Sequence, residues 1–564
     1  MVVGETHRVV GNMQLGGKMH FGAMADAVHC MLLRSALHRP SQRAALFVQQ
    51  SCMRPLGSTA ESAQPPEVFL ALFFRFPRMA LPPFLQCPLR SLPSHFPSPL
   101  SAPLPVREAA SAHLSPSCLP VCKLVCNFTR RNAALRPEHA AALKTSMMKR
   151  EDFEIMAPVG SPDSLSAALR AGADSVYFGI ENLNMRAHSA CAFTIDDLRR
   201  IAAECRRCGV KSYLTVNTII YGEDLPLMRR ILDAALEAEI TAVIASDVAV
   251  MTYCRQIGLE VHLSTQLNIS NIEALRFYAQ FADVAVLARE LNMNQVEEIH
   301  RGILADNICG PGGQPVRIEM FCHGALCMAI SGKCYLSLRN TGHSANRGAC
   351  LQLCRRAYTV RDRETGTELD IDNKYVMSPK DLKTIRFVDR MMTAGVRVFK
   401  IEGRARGAEY VDTVVRCYDE AIRAVLDGTF TEERKDEWDS RLARVFNRGF
   451  WDGYYQGQTM GEWNDRPGSR ATERKVYVGR GVRYYSKLQV AEFKIEAAPL
   501  SVGDRILVTG PTTGALETEV SEIRFDLQPV PTAKQGQRVS IPIDRKVRAS
   551  DKLFKLVPAD EAEG

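Results

Sequence analysis

From residue 148 onward, apolar residues fall in short, nearly unbroken runs that alternate with stretches in which they recur every three or four positions. A run of the first kind fits a strand buried on both faces, and the second fits an amphipathic helix crossing back over a sheet. Strands are predicted over 153–157, 175–180, 211–217, 242–246, 260–265, 283–288, 317–322 and 396–401. Helices are predicted over 163–171, 195–208, 225–238, 248–256, 272–280, 293–301, 379–394 and 408–426. Eight strand–helix units favour an α/β fold, a closed (β/α)8 barrel of the TIM type, over an open sheet. Gly172, Gly209 and Gly395 supply helix stops ahead of the second, third and eighth strands.

Beyond residue 446 the period changes. Residues 447–474, rich in glycine and aromatic side chains, read as a linker. Short alternating runs at 476–478, 488–495, 505–508, 518–523, 538–541 and 552–556, with turns at Gly503-Asp504 and Gly510-Pro511, predict a small C-terminal β-barrel over 475–564. The domain plan is therefore a barrel over 148–446, a linker and a small β-barrel.

Residues 1–147 follow neither period. They hold 16 of the 29 prolines, and they carry 15 Lys/Arg against 6 Asp/Glu, a net +9 that leaves −1 for the rest of the chain. Proline at this density suits neither a helix nor a central strand, so the segment is expected to be disordered. Its front lacks the basic start and compact apolar core of a secretory signal, and it matches a transit peptide only in part. It reads best as upstream sequence that is not genuine coding sequence, with the start at Met148. The formal +8 of the whole chain is thus a property of the leader, and net charge gives no support to nucleic-acid binding by the body.

No stretch reaches the roughly 18 consecutive apolar residues of a membrane span. The body holds 11 of the 17 cysteines, an odd number with several isolated, which argues for reduced thiols and a cytoplasmic protein. Four of them form the pattern Cys327-x6-Cys334-x15-Cys350-x3-Cys354, inside an insertion at about 323–378 after the seventh strand. Loops that long in a compact domain are functional or disordered, and barrel chemistry collects at the carboxyl ends of the strands. Structural zinc favours tighter pairs, of which only Cys350-x3-Cys354 is one, so the looser spacing suits an iron–sulfur cluster; zinc, or four reduced packing thiols, remain the other readings.

These residues resemble a known family. The run from Glu319 to Ser337, with His323, Gly324, Ala325, Cys327, Ser331, Gly332 and Cys334, followed by Asn346-Arg347-Gly348, Cys350 and Cys354-Arg355, is similar to the signature of peptidase family U thirty-two, the collagenase-like putative protease family. Ala157-Pro158-Val159-Gly160, His262-Leu263-Ser264-Thr265-Gln266 and Lys400-Ile401-Glu402-Gly403-Arg404 resemble it as well, and the likeness spans essentially all of 148–564. The resemblance implies two activities: the collagenase-like proteolysis of the family name, and oxygen-independent hydroxylation supported by a four-iron four-sulfur cluster. The domain layout looks most like the branch that hydroxylates the wobble uridine of tRNA, with prephenate as a source. It implies cluster ligands at Cys327, Cys334 and Cys350, and a fourth at Cys354.

The residues favour the second activity. The body has no H-E-x-x-H and no G-x-S-x-G, and a cysteine that binds metal is not a free nucleophile, although His323 lies close enough to Cys327 in sequence to pair with it. Glu319 and His323 at the end of the seventh strand, and Glu402 and Arg404 at the end of the eighth, are the candidate catalytic groups; the plainer roles are an ion pair of Glu402 with Arg404 that closes the barrel, and a His323 that only supports the cluster's ligands. Arg186 and Gln266, after the second and fifth strands, and Arg347 and Arg355 in the insertion are candidate substrate contacts. Arg339, Arg356, Arg361 and Arg363 add to a basic surface that phosphate would meet, or that water would solvate. tRNA is the expected partner, a peptide or collagen the alternative, and an accessory protein carrying a cluster or zinc the third reading.

Overall fold

The computed structural model describes residues 148–185, 193–369, 377–466 and 468–562. The leader 1–147 and Arg186 lie outside the described residues. Eight parallel strands close into a barrel: β1 (Glu154–Pro158), β2 (Ser175–Phe178), β3 (Lys211–Val216), β4 (Ala242–Ala245), β5 (Val261–Leu263), β6 (Val284–Val286), β7 (Arg317–Ala325) and β11 (Val396–Ile401). β11 pairs with both β7 and β1, so the barrel has no free edge. The helices between are α1 (Pro162–Ala171), α2 (Ile195–Arg207), α3 (Leu225–Glu237), α4 (Val248–Ile257), α5 (Ile272–Ala279) and α6 (Met293–Ala305). Their caps follow from sequence. In α1, Ser161 accepts from the Ser164 amide, Pro162 opens the first turn and Gly172 closes the helix in the left-handed region.

The segment from β7 to β11 departs from a simple repeat. It contains α7 (Leu336–Thr341), a ribbon of β8 (Val360–Arg361) with β9 (Glu368–Leu369), β10 (Asp381–Lys383) and α8 (Val388–Thr393). The helix predicted over 379–394 is thus a strand followed by a short helix. The cause is tertiary: β10 pairs antiparallel with the carboxyl extension of β7, opposite His323, Gly324 and Ala325. After β11 come α9 (Ala408–Leu426), α10 (Glu432–Arg444) and β12 (Phe450–Trp451), which adds to β10 in parallel. Residues expected as a linker are therefore packed on the barrel, and Tyr455 is buried with its hydroxyl donating to the Phe321 carbonyl at 3.0 Å.

The C-terminal region holds β13 (Glu473–Tyr485), β14 (Val490–Ile495), β15 (Leu500–Ser501), β16 (Arg505–Gly510), β17 (Gly514–Glu519), β18 (Arg524–Phe525), β19 (Gln528–Pro529), β20 (Thr532–Ala533), β21 (Arg538–Pro542) and β22 (Lys552–Pro558). Over the region predicted as a small β-barrel, eight of these strands form one antiparallel sheet around a core of their own, and β15 and β20 form a separate pair. The sheet docks on α1: the Ser166 hydroxyl donates to the Pro511 carbonyl and Arg170 donates to the Thr512 carbonyl at 3.0 Å. Among the described residues no helix is long and apolar enough to cross a membrane.

Gly514 marks the tightest point of that docking, at φ +72 with the place of a Cβ 2.8 Å from the Ala167 nitrogen. Gly503, at φ +89, has open space in the same position. Gly514→Ala should therefore cost more than Gly503→Ala, whose penalty is the backbone strain alone, about 1–3 kcal/mol. Urea unfolding of both variants checks this, and equal losses would mean that the docking is looser than described.

Candidate active site

The bore of the barrel is built in layers by the inward-facing residues of alternate strand positions. At the amino end, Glu154 accepts from the Tyr213 hydroxyl at 2.7 Å and from Lys211 and Arg317 at 2.8 and 3.2 Å. Burial alone would raise this carboxyl, yet Lys211 and Arg317 hold it down at about 2. Above it lies an apolar and aromatic layer that includes Met156, Tyr177, Tyr213, Ile244, Val284 and Val398. Next comes a buried ion pair, with Lys400 Nζ at 2.7 Å from Glu319 Oε1, and His262 Nδ1 at 4.0 Å from Glu319 Oε2. The Lys400 ammonium also lies 4.7 Å from the centre of the Tyr177 ring.

The carboxyl rim carries the polar groups. Arg404 donates to Thr215 Oγ1 at 2.9 Å and to Asn184 Oδ1 at 3.2 Å, while Glu402 Oε2 lies 3.1 Å from the Tyr177 hydroxyl. The Asn217 amide reaches Ser264 Oγ at 3.2 Å and Gln266 Oε1 at 3.3 Å. Arg289 lies over the Phe321 ring and donates to Ser331 Oγ at 2.7 Å, tying the insertion to the strand it follows.

Apart from Asn184, these groups border one cavity of about 180 Å³, and Cys327, Cys334, Cys350 and Cys354 border it too. The spacing of the four cysteines in sequence thus becomes a shared wall over the mouth of the bore. Burial pushes the Cys354 thiol up; Arg355 opposes the shift, and the other three cysteines add to it. Among the described residues no group of three or more His, Cys, Asp or Glu side chains is arranged to hold a single metal ion. The donor set is soft and fourfold, of a kind that an iron–sulfur cluster or a zinc ion takes.

Two arginines position the insertion. Arg347 donates to Asp224 Oδ1 at 3.0 Å and to the Ile219 carbonyl at 2.6 Å, and it stacks on Tyr221, so it fastens the insertion to the loop after β3 and does not line the cavity. Arg355 lines the cavity, and its guanidinium joins the Leu326 carbonyl to Ser378 Oγ, at 2.6 and 3.1 Å, closing the ends of the insertion on each other.

His323 lies elsewhere. Strand alternation would carry it to the bore with Glu319 and Phe321, but the β7–β11 register shifts between Lys400 and Ile401, whose partners are Phe321 and His323. Cys322 is the extra residue, and such a bulge re-aims the side chain that follows it. The His323 ring consequently packs among Tyr410, Tyr418 and Phe450, at 5.5–5.9 Å between centres, and the Cys327–His323 pairing allowed by sequence is not formed. Burial, with Lys383 and Arg406 adding to it, holds this imidazole down at about 3. Gln266, Glu402, Arg404, Arg355 and the four cysteines thus meet at one cavity, with Glu319 a single contact below it. Lys400, Tyr177, Asn217 and Arg289 join them at the cavity, and His262 lies beside Glu319 below it; none of the five is among the candidate site residues of the sequence. A lysine within the apolar run of β11, in alternation with Val398 and Glu402, was the available signal.

Residues 160–465 match the model of peptidase family U32. The chain belongs to this family. It is 66% identical over 414 residues to a collagenase of Porphyromonas gingivalis, covering 73% of this chain and 100% of that protein. It is 30% identical over 415 residues to tRNA hydroxylation protein P1 of Bacillus subtilis, covering 71% of this chain and 94% of that one. It is 34% identical over 286 residues to the 23S rRNA 5-hydroxycytidine C2501 synthase of Escherichia coli, covering 50% and 40%.

Two expectations follow for this family member, one from the bore and one from the packing of His323. Lys400→Met leaves Glu319 as a buried carboxylate without its cation, which should cost about 3–5 kcal/mol of stability; adding Glu319→Leu should recover most of the loss. Urea unfolding measures both, and a double variant no better than the single would refute the pairing. For His323 the folded ring is held below its unfolded value near 6.5. Its contribution is therefore complete above about pH 6.5 and is lost as pH falls toward 3, by about 1.4 kcal/mol per pH unit. His323→Phe should flatten the fall in stability below about pH 6.5, and curves that stay parallel to the parent would contradict a buried neutral imidazole.

Proposed function

We propose that this protein is an iron–sulfur-dependent RNA hydroxylase that acts on tRNA, with the wobble uridine as its target. One observation carries the reading: the four cysteines border the same cavity as Gln266, Lys400, Glu402 and Arg404. Four thiolates around an opening suit the several irons of a four-iron four-sulfur cluster held by Cys327, Cys334, Cys350 and Cys354. Such a cluster, when bound, supplies one-electron chemistry.

The chain's own residues do the rest. Arg404, braced by Thr215 and Asn184, presents a fixed fork to phosphate or to the carboxylates of a co-substrate, for which prephenate is the candidate that the family resemblance brings. Glu402, beside the Tyr177 hydroxyl, stands at the rim as the acid or base. Gln266 and Asn217 offer amides to the edge of an extruded base. The names of the B. subtilis and E. coli relatives support a nucleic-acid substrate.

A peptidase is the second reading, favoured by the 66% identity to a protein named collagenase over that protein's whole length. Against it stands the position of His323, packed among aromatic rings and not beside Cys327.

The full chain purified without oxygen should contain iron and sulfide together, lose both in Cys334→Ala, and convert uridine in unmodified tRNA to its hydroxylated form, read by nucleoside mass spectrometry. Zinc in place of iron would overturn the cluster. Gelatin cleavage that survives Cys334→Ala, without tRNA hydroxylation, would establish the peptidase.

A further inference from the structure

The bore contains two polar layers, and they differ in one respect. Every contact of Glu154 in the lower layer is made. In the upper layer, Glu319 Oε2 and His262 Nδ1 are both fully buried and neither has a hydrogen-bond partner, although they face each other at 4.0 Å. Leaving a buried polar atom unsatisfied costs about 1–3 kcal/mol, so two of them side by side call for a cause. A gap of 4.0 Å is one that a small rotation of the ring or a single water closes.

The contacts on either side of this gap extend it into a line. His262 Nε2 lies 3.3 Å from Glu260 Oε1, and the Glu260 side chain is 43% exposed just ahead of β5, at the amino end of the barrel. On the other side, Glu319 Oε1 holds Lys400 Nζ at 2.7 Å, and Lys400 borders the cysteine-lined cavity. His262 therefore has one ring nitrogen toward a solvent-exposed carboxylate and the other toward a buried one, an arrangement in which an imidazole takes a proton on one side and releases it on the other.

We propose that Glu260, His262, Glu319 and Lys400 form a proton relay through the bore, linking solvent at the amino end of the barrel to the cavity at its carboxyl end. The inference rests on the reading of that cavity as the reaction site. In the delivering direction the Lys400 ammonium gives a proton to the reacting group and becomes an amine. His262, carrying one ring proton on Nδ1, passes it to Glu319 while Nε2 takes a proton that Glu260 has collected from water, and Glu319 passes one on to Lys400. One proton has crossed and the ring is left with its proton on Nε2; exchange of that proton between the two ring nitrogens returns the starting tautomer, and the reverse direction removes a proton in the same way.

The remaining groups near the ring do not offer a second route. The Tyr213 ring lies against His262, 4.5 Å between centres, and its hydroxyl is committed to Glu154, which Lys211 and Arg317 hold in place. The aromatic layer thus separates the lower polar cluster from the line. The connection of the cavity to the amino-end solvent runs through His262.

Two readouts test the relay separately from the hydroxylase reading. The first needs no turnover: the resonances of the His262 ring nitrogens, which report the proton or hydrogen bond that each carries, are recorded by NMR in the full chain. In both Glu260→Gln and Glu319→Gln they should shift, because each variant replaces a carboxylate that faces one ring nitrogen. Ring-nitrogen resonances unmoved in both variants overturn the relay whatever the protein's activity. The second is tRNA hydroxylation by His262→Gln, expected to lose on the order of a hundredfold in kcat with KM for tRNA unchanged, and to lose the pH dependence of the parent between about pH 5 and 8. Full turnover, or a loss that is uniform across pH and accompanied by a lowered Tm, overturns the relay in favour of packing. If the parent protein itself hydroxylates nothing, the hydroxylase reading fails while the NMR result still decides whether the line of groups exchanges protons.

Discussion

Closure of the barrel by β7 against β11, with Cys322 as the extra residue, is the constraint on which the rest depends. β7 is shared by three partners: β6 and β11 inside the barrel, and β10 on its extension. The Cys322 carbonyl accepts from the Thr384 backbone amide at 3.1 Å and from the Tyr418 hydroxyl at 2.7 Å, which pins the bulge to β10 and α9. Below the bulge Glu319 and Phe321 face the bore, and after it His323 turns into the helix layer. The chain then leaves β7 over the mouth of the barrel, which is why Cys327 and the residues that follow roof the bore.

Charge inside the bore is expensive, and the structure handles its two layers differently. Glu154 is surrounded by donors near the open amino end, where Lys211 remains half exposed. Glu319 and Lys400 are both nearly inaccessible, and burying such a pair against water yields little net stability. A pair of this kind that also borders a cavity is better explained by what it does there than by what it holds together. The insertion follows the same division of labour. Arg347, Arg355 and Arg289 brace it through carbonyls, a carboxylate and a hydroxyl that are not cysteine thiols, so the wall of thiols is positioned by side chains other than the thiols themselves.

The eight strands and seven of the eight helices were legible because each strand is buried on both faces and each helix on one, so periodicity reports them directly. The helix expected over 379–394 failed because Asp381–Lys383 owes its conformation to the extension of β7, a contact far away in sequence. The four cysteines, Gln266, Glu402 and Arg404 could be placed at one rim because strand ends in a closed barrel converge. His323 could not, since a one-residue bulge reverses the facing without altering composition. Lys400 and His262 were legible only as members of family-like motifs and not as site residues, because both sit within strands and face a bore that sequence patterns describe only as buried. Arg347 and Arg355 show the converse, cationic residues beside a ligand-like motif that serve as braces.

That the cavity under the cysteines is where a tRNA base reacts is the central claim, and Glu402 tests it most directly because it borders the cavity and is not a thiol. The measurement is the extent of wobble-uridine hydroxylation in tRNA, by nucleoside mass spectrometry, in a strain whose only copy of the protein carries Glu402→Gln. The account predicts a fall on the order of a hundredfold, the scale of a lost acid or base, with the protein's iron content unchanged. Hydroxylation at the parental level would contradict it.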